Sequence, residues 1–262
     1  MADVIDNVRQ AVSDRADLPG MSLMEHLDEL RRRLIHSTLY LLVGFCVAYA
    51  FHVQLYAIIQ APLDKLHIML NYTHPTDPLN LYLKTALYGG FILASPFILY
   101  QVWLFISPGM YQHERRYVVP FMGVTILLFF AGAWFGYHYV FPGALRVLIG
   151  DFGKRFNAVL TIEDYTNFFL AIVLGLGICF ELPIVIFFLA LFGIVDGKFL
   201  IQHIRYAILV IFIIAAIICP TPDPLSMCVF AAPMLVLYML GVGAAFVVHP
   251  ARRKAREKKL SA

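Results

Sequence analysis

From Ile35 onward, long apolar runs alternate with short polar breaks, and six runs stand out at 35–51, 86–106, 118–141, 168–192, 204–219 and 227–248. About 20 apolar residues carry a helix across a bilayer, and only a helix satisfies every backbone N–H and C=O within its own segment. The pattern therefore predicts an all-α integral membrane protein with six transmembrane helices. The fifth run has 16 residues and reaches only about 24 Å at 1.5 Å per residue, short of the ~30 Å hydrocarbon core. Pro220-Thr221-Pro222-Asp223-Pro224 ends it and Pro233 interrupts the sixth, so the last two helices are expected to be short. Such a hairpin either thins the bilayer beside it or is covered by neighbouring helices.

Composition agrees. Apolar residues make up 61% of the chain and charged residues 14%, with a mean hydropathy of +0.77. A soluble domain of 262 residues carries more charge than this. The runs divide the 20 Lys and Arg into fifteen on the side holding both termini and five on the other, which places both termini in the cytoplasm. Three regions follow: an acidic arm at 1–21, expected to be disordered, a six-helix membrane domain at 22–249 and a basic cytoplasmic tail at 250–262. The arm carries Asp3, Asp6, Asp14 and Asp17 and lacks a secretory-signal pattern. A bacterial inner membrane is the expected location. The tail's cations suit anionic lipid rather than nucleic acid. Cys46, Cys179, Cys219 and Cys228 lie in or at the ends of apolar runs without metal-ligand spacing, and are expected to be buried apolar residues. No metal or cofactor site is expected.

Polar chemistry sits in three places. Ser22 and Glu25 form a capping box that starts a helix before the first span, with Leu23, Leu27, Leu30 and Leu34 along one stripe. Glu29 lies four residues before Arg33, so a plain helical ion pair is one reading. The loop before the third span holds Glu114 beside Arg115 and Arg116. Two carboxylates on one membrane face, Glu29 and Glu114, suit a ligand bearing guanidinium groups, which bind carboxylates bidentately. Glu181 lies within the fourth run, two residues before Pro183. A carboxylate at that depth faces protein or water, and Gln101 and Cys179 are its expected polar company. Either a hydrated groove or an interhelical hydrogen bond at a proline kink accounts for it. Thr161, followed by Glu163 and Asp164, reads as the cap of a fourth helix that begins outside the membrane.

Taken together, these segments resemble the TatC family, the multispanning subunit of the twin-arginine protein translocase. The resemblance rests on His26-Leu27-Asp28-Glu29-Leu30-Arg31-Arg32-Arg33-Leu34, Ala61-Pro62-Leu63 and Ser95-Pro96-Phe97-Ile98-Leu99-Tyr100-Gln101-Val102-Trp103. It continues in Tyr111-Gln112-His113-Glu114-Arg115-Arg116, Phe180-Glu181-Leu182-Pro183 and Pro222-Asp223. It implies a glove-like concave bundle and a receptor for signal peptides with two consecutive arginines, which starts proton-gradient-driven export of folded proteins. Glu29 and Glu114 would each take one guanidinium, Phe105 would add an aromatic, and Arg31 and Arg33 would support that surface. Glu181 would face the concave interior, and Pro62 and Asp223 would be functional on the outer face. The implied partners are TatA, TatB, further copies of the chain and membrane lipids.

Two rival classes fit the spans less well. An ion-coupled transporter of a small solute would use Glu181 as its coupling carboxylate, but no internal repeat relates 35–141 to 168–248. An intramembrane enzyme needs a nucleophile–base pair or metal ligands at depth, and the spans hold neither. A non-enzymatic transport role is expected.

Overall fold

The computed structural model describes residues 23–64, 69–106, 118–152, 159–191, 193–218 and 224–260. The elements are α1 (Leu23–Ala50), α2 (His52–Asp64), α3 (Asp77–Ile106), α4 (Val118–Phe135), α5 (Ile162–Cys179), α6 (Leu182–Leu191), α7 (Gly197–Gln202), α8 (Ile204–Ile218) and α9 (Pro224–Leu260). Beyond Phe135, α4 continues through a π-helical turn at Gly136–Val140, an α-turn at Phe141–Leu145 and a second π-helical segment at Arg146–Phe152. Five stretches are long and apolar enough to cross a membrane: Met24–Ala50, Asp77–Ile106, Pro120–Ile149, Ile162–Leu191 and Met227–Phe246. The remaining predicted span, the fifth, is the 15-residue α8.

Prolines shape the helices without ending most of them. Pro96 removes the donor that would reach the Ile92 carbonyl, and the Ser95 hydroxyl donates to that carbonyl instead at 2.7 Å. At Pro142 the chain widens into π geometry, with the Phe141 N–H donating to the Gly136 carbonyl. Only Pro183 breaks a helix within the membrane among the described residues. The chain leaves α5 at Phe180 and Glu181 and restarts as α6, with the Glu181 N–H donating to Ile178 at 3.0 Å and the Val185 N–H to Glu181 at 3.0 Å.

Two expectations need correction. The last helix is not short: α9 has 37 residues, and Pro233 lies inside it. A single proline costs a long, well-packed helix one hydrogen bond, and the buried Phe230, Ala231, Met234, Leu237 and Tyr238 hold both sides of it against the bundle. Nor does the third span end at Phe141, because the widened turns carry it on to Phe152.

Packing is led by α1 against α3, α6 against α9, and α4 against α5. The α1–α3 crossing is close. A Cβ on Gly44 would stand 2.5 Å from the Gly90 carbonyl oxygen, and one on Gly90 would stand 2.6 Å from the Phe45 nitrogen. The main core gathers Phe141, Ile172, Leu176, Phe230 and Met234, all fully or nearly fully buried. The Thr161 hydroxyl caps α5, accepting from the Asp164 N–H at 3.1 Å and donating to the Asp164 carboxylate at 2.7 Å. Of the cysteines, only Cys179 is buried among the described residues. Cys46 and Cys228 are exposed, on helix faces that lie outside the protein core.

Candidate functional site

On α1, His26, Glu29 and Arg33 recur at i, i+3 and i+7 and so share one face. On α3, Gln101 and Phe105 are one turn apart. The α1–α3 crossing brings these two faces together. Arg33 Nη2 lies 3.1 Å from Glu29 Oε1, Arg33 Nη1 donates to Gln101 Oε1 at 3.2 Å, and the His26 and Phe105 rings stack at 4.5 Å. Tyr40 against Phe97 continues the seam toward the glycine crossing. The predicted leucine stripe points the other way, with Leu27, Leu30 and Leu34 exposed. Glu29 and Arg33 are therefore turned toward α3, while the leucines face outward.

Arg33 ties a neighbour on its own helix to a residue 68 positions away, so Glu29 is held by a buttress that spans two helices. Its side chain is only 14% exposed. Glu29 Oε2 is buried without a hydrogen-bond partner among the described residues, as is Arg33 Nε. A buried carboxylate oxygen with open lone pairs costs free energy until a donor reaches it. Glu29 is thus half engaged: one oxygen takes Arg33, and the other is an acceptor in waiting.

The remaining predicted residues fall elsewhere. Arg31 is exposed on the opposite flank of α1, in a shallow groove with Asp28, Arg32, Ile35 and His36. A spacing of two residues turns it away from Glu29, so it does not join the cluster. Gln101 is not company for Glu181, since its amide oxygen serves Arg33 near the end of α3. Glu181 sits at the break between α5 and α6, where its Oε1 is buried and unpartnered among the described residues. The break has room because Gly132 faces it: a Cβ there would lie 2.6 Å from the Leu176 carbonyl oxygen and 2.7 Å from the Phe180 ring. Glu114 and Asp223 lie outside the described residues. His26 was missed as a site residue, although its i, i+3, i+7 relation to Glu29 and Arg33 was visible.

At the other end of the bundle, Pro62 lines an open cleft of about 350 Å³ with Ala61, Tyr137, His138, Pro142 and Arg146. The surrounding loops are tied together. Asn71 and Thr161 form a parallel bridge, with the Asn71 N–H donating to Leu160 at 2.9 Å and the Ile162 N–H to Asn71 at 2.8 Å. Lys84 Nζ donates to Glu163 at 2.9 Å and to Asn167 at 3.1 Å. The buried Asp77 carboxylate accepts from the Thr73 and His74 N–H groups, each at 2.9 Å. The Tyr165 hydroxyl donates to the Ile59 carbonyl at 2.7 Å and that of Tyr137 to Ile58 at 3.1 Å. Burial, with Tyr82 and Asp64 nearby, raises the Tyr56 phenol above its ordinary pKa and keeps it neutral.

Residues 25–233 match the family described as "Sec-independent protein translocase protein (TatC)". The chain belongs to the TatC family. A relative named Sec-independent protein translocase protein TatC, from Koribacter versatilis, is 52% identical over 96% of this chain and 94% of its own length. The TatC of Aquifex aeolicus is 39% identical over 90% of this chain and 98% of its own. A solved structure titled "Crystal Structure of Twin Arginine Translocase Receptor- TatC" superposes with a TM-score of 0.79 at 39% identity, covering 84% of this chain and 98% of that one. A second, in DDM, also reaches 0.79, at 38% identity. As a TatC, the chain is a multi-pass membrane subunit of the Tat protein translocase, a complex with other subunits, and the ion-coupled transporter reading is not favoured.

Proposed function

We propose that this TatC is the receptor for twin-arginine signal peptides, with Glu29 as the acceptor for one guanidinium. The observation that carries this reading is the buried, unpartnered Oε2 of Glu29 beside the His26–Phe105 stack. Arg33, braced by Gln101, fixes the carboxylate before the ligand arrives. An incoming guanidinium then gains a charge-assisted hydrogen bond without ordering the acceptor, and its flat face suits the neighbouring rings. A lysine offers a point charge and no planar fork, which is the basis for discrimination. By the family's pattern, Glu114 takes the second guanidinium.

Around this site the rest of the proposal follows the family. The chain has six spans, counting α8, with both termini in the cytoplasm of a bacterium and the outer-end cleft facing the periplasm. TatA and TatB dock on the α8 side, where Leu209, Val210, Ile213 and Ile217 are exposed. Further copies of the chain join the same complex. Glu181 faces the concave interior and acts after peptide binding, in export driven by the proton gradient, and Pro62 and Asp223 serve the periplasmic face.

Photocrosslinking from position 105 to an Arg-Arg peptide tests the receptor reading. Glu29→Gln and Glu114→Gln are each expected to abolish the crosslink at unchanged membrane levels, and a Lys-Lys peptide is expected to fail on the wild type. Retained crosslinking in both variants would refute it. Glu181→Ala is expected to lower export of a folded reporter more than peptide crosslinking, and export at the wild-type rate would leave Glu181 a structural role only.

A further inference from the structure

The cleft at the Pro62 end has two kinds of wall. Ala61, Pro62, Pro142 and Leu145 give it an apolar floor, and His138 and the cationic Arg146 give it a polar rim. Its depth follows from helix geometry. Twenty residues at 1.5 Å each take the third span from Val118 to His138, about 30 Å, the thickness of the hydrocarbon core. Arg146 lies eight residues, about two widened turns, further on, at headgroup level. Exposed Trp134 (54%) and Tyr139 (59%) mark the same boundary, as aromatic side chains do at membrane interfaces. The cleft therefore straddles the line between acyl chains and headgroups.

Arg146 is exposed and has no ion-pair partner among the described residues. The His138 Nδ1 donates to the Trp134 carbonyl at 3.3 Å, so the other nitrogen of the neutral ring is an acceptor. The π-helical turn at Gly136–Val140 places Tyr137 and His138 on the same cleft as Pro142 and Arg146.

We propose that this cleft binds one anionic glycerophospholipid. Its phosphate pairs with Arg146, a headgroup hydroxyl donates to His138, and the glycerol and upper acyl carbons lie on Pro62, Pro142 and Leu145. A phospholipid matches this wall order and depth, since a free anion leaves the apolar floor uncovered and a zwitterionic headgroup partly cancels the attraction to Arg146. The proposal needs only that the chain is a membrane protein, and stands or falls apart from peptide recognition.

The test uses the full chain purified in mild detergent and titrated with phosphatidylglycerol, phosphatidylcholine or glycerol 3-phosphate, with bound lipid read by native mass spectrometry. Wild-type protein is expected to retain phosphatidylglycerol in preference to phosphatidylcholine and not to exchange it for glycerol 3-phosphate. Arg146→Gln is expected to weaken retention about fivefold, the effect of removing one basic side chain at a lipid surface. Arg205→Gln, a cation on another helix, is expected to behave as wild type. Ala61→Phe, which fills the floor and leaves the charges in place, is expected to lower retention too. Equal retention by wild type and Arg146→Gln would overturn the proposal, as would equal retention of the two lipids, or glycerol 3-phosphate binding as tightly as phosphatidylglycerol.

Discussion

Glu29 and Arg33 illustrate how one side chain does two jobs. An isolated i,i+4 pair on an exposed helix contributes only about 0.2–0.5 kcal/mol. Here the second nitrogen of the guanidinium reaches Gln101 on another helix, so the pair also fixes where Glu29 points. Gln101→Leu is expected to leave the protein folded and to free Arg33 from its brace. The loss should be about 1 kcal/mol for a partly exposed hydrogen bond to a charged group, or roughly fivefold weaker binding of an Arg-Arg peptide by fluorescence anisotropy. Unchanged affinity would mean that Arg33 does not position the acceptor. The sequence made Glu29, Arg33 and Phe105 visible through spacing and family likeness. It misassigned Gln101, because counting residues along a run gives depth in the membrane but not which neighbour a side chain meets.

At the scale of elements, backbone approach is what sets the site. Gly44 and Gly90 let α1 and α3 close to within backbone contact, and the Arg33–Gln101 bridge lies eleven residues, three helical turns, along each helix from that crossing. Gly90→Ala is expected to force the helices apart and cost about 1–3 kcal/mol, the usual penalty for overpacking a tight contact. Thermal unfolding in detergent should show a drop of several degrees, with Gly123→Ala, where a new Cβ meets nothing within 4 Å, close to wild type. Equal melting of the two variants would remove the crossing from this account. Most of the helices were legible as apolar runs, and the Thr161 cap was legible from its hydroxyl and the acids behind it. The extension of the third span to Phe152 was not, since Pro142-Gly143 has the local chemistry of a turn and only tertiary packing makes a widened helix the better solution. The length of α9 escaped for the same reason: Pro233 weakens a helix locally, and its neighbours hold it.

Over the whole molecule, the two ends are built differently. The Glu29 end presents an unsatisfied acceptor, whereas the Pro62 end is knotted by contacts between segments about 80 to 110 residues apart in sequence. None of that knot was readable beforehand, because long-range pairing of loops leaves no local period. Its parts differ in weight. Lys84 and Glu163 are solvent-exposed, and such pairs contribute about 0–1 kcal/mol, so Lys84→Ala is expected to shift the melting temperature only slightly. Asp77 is buried and accepts two backbone N–H groups, and Asp77→Ala is expected to lower it clearly further. The reverse order would show that the surface pair, and not the buried turn, holds the loops together.

The unbroken run of α9 from Pro224 to Leu260 gives the basic tail a mechanical character. Its apolar stretch ends at Phe246, so about 21 Å of helix stands clear of it, a stiff post instead of a loose string. Such a post keeps its bearing relative to the bundle, and any twist of the buried half turns its far end through the same angle.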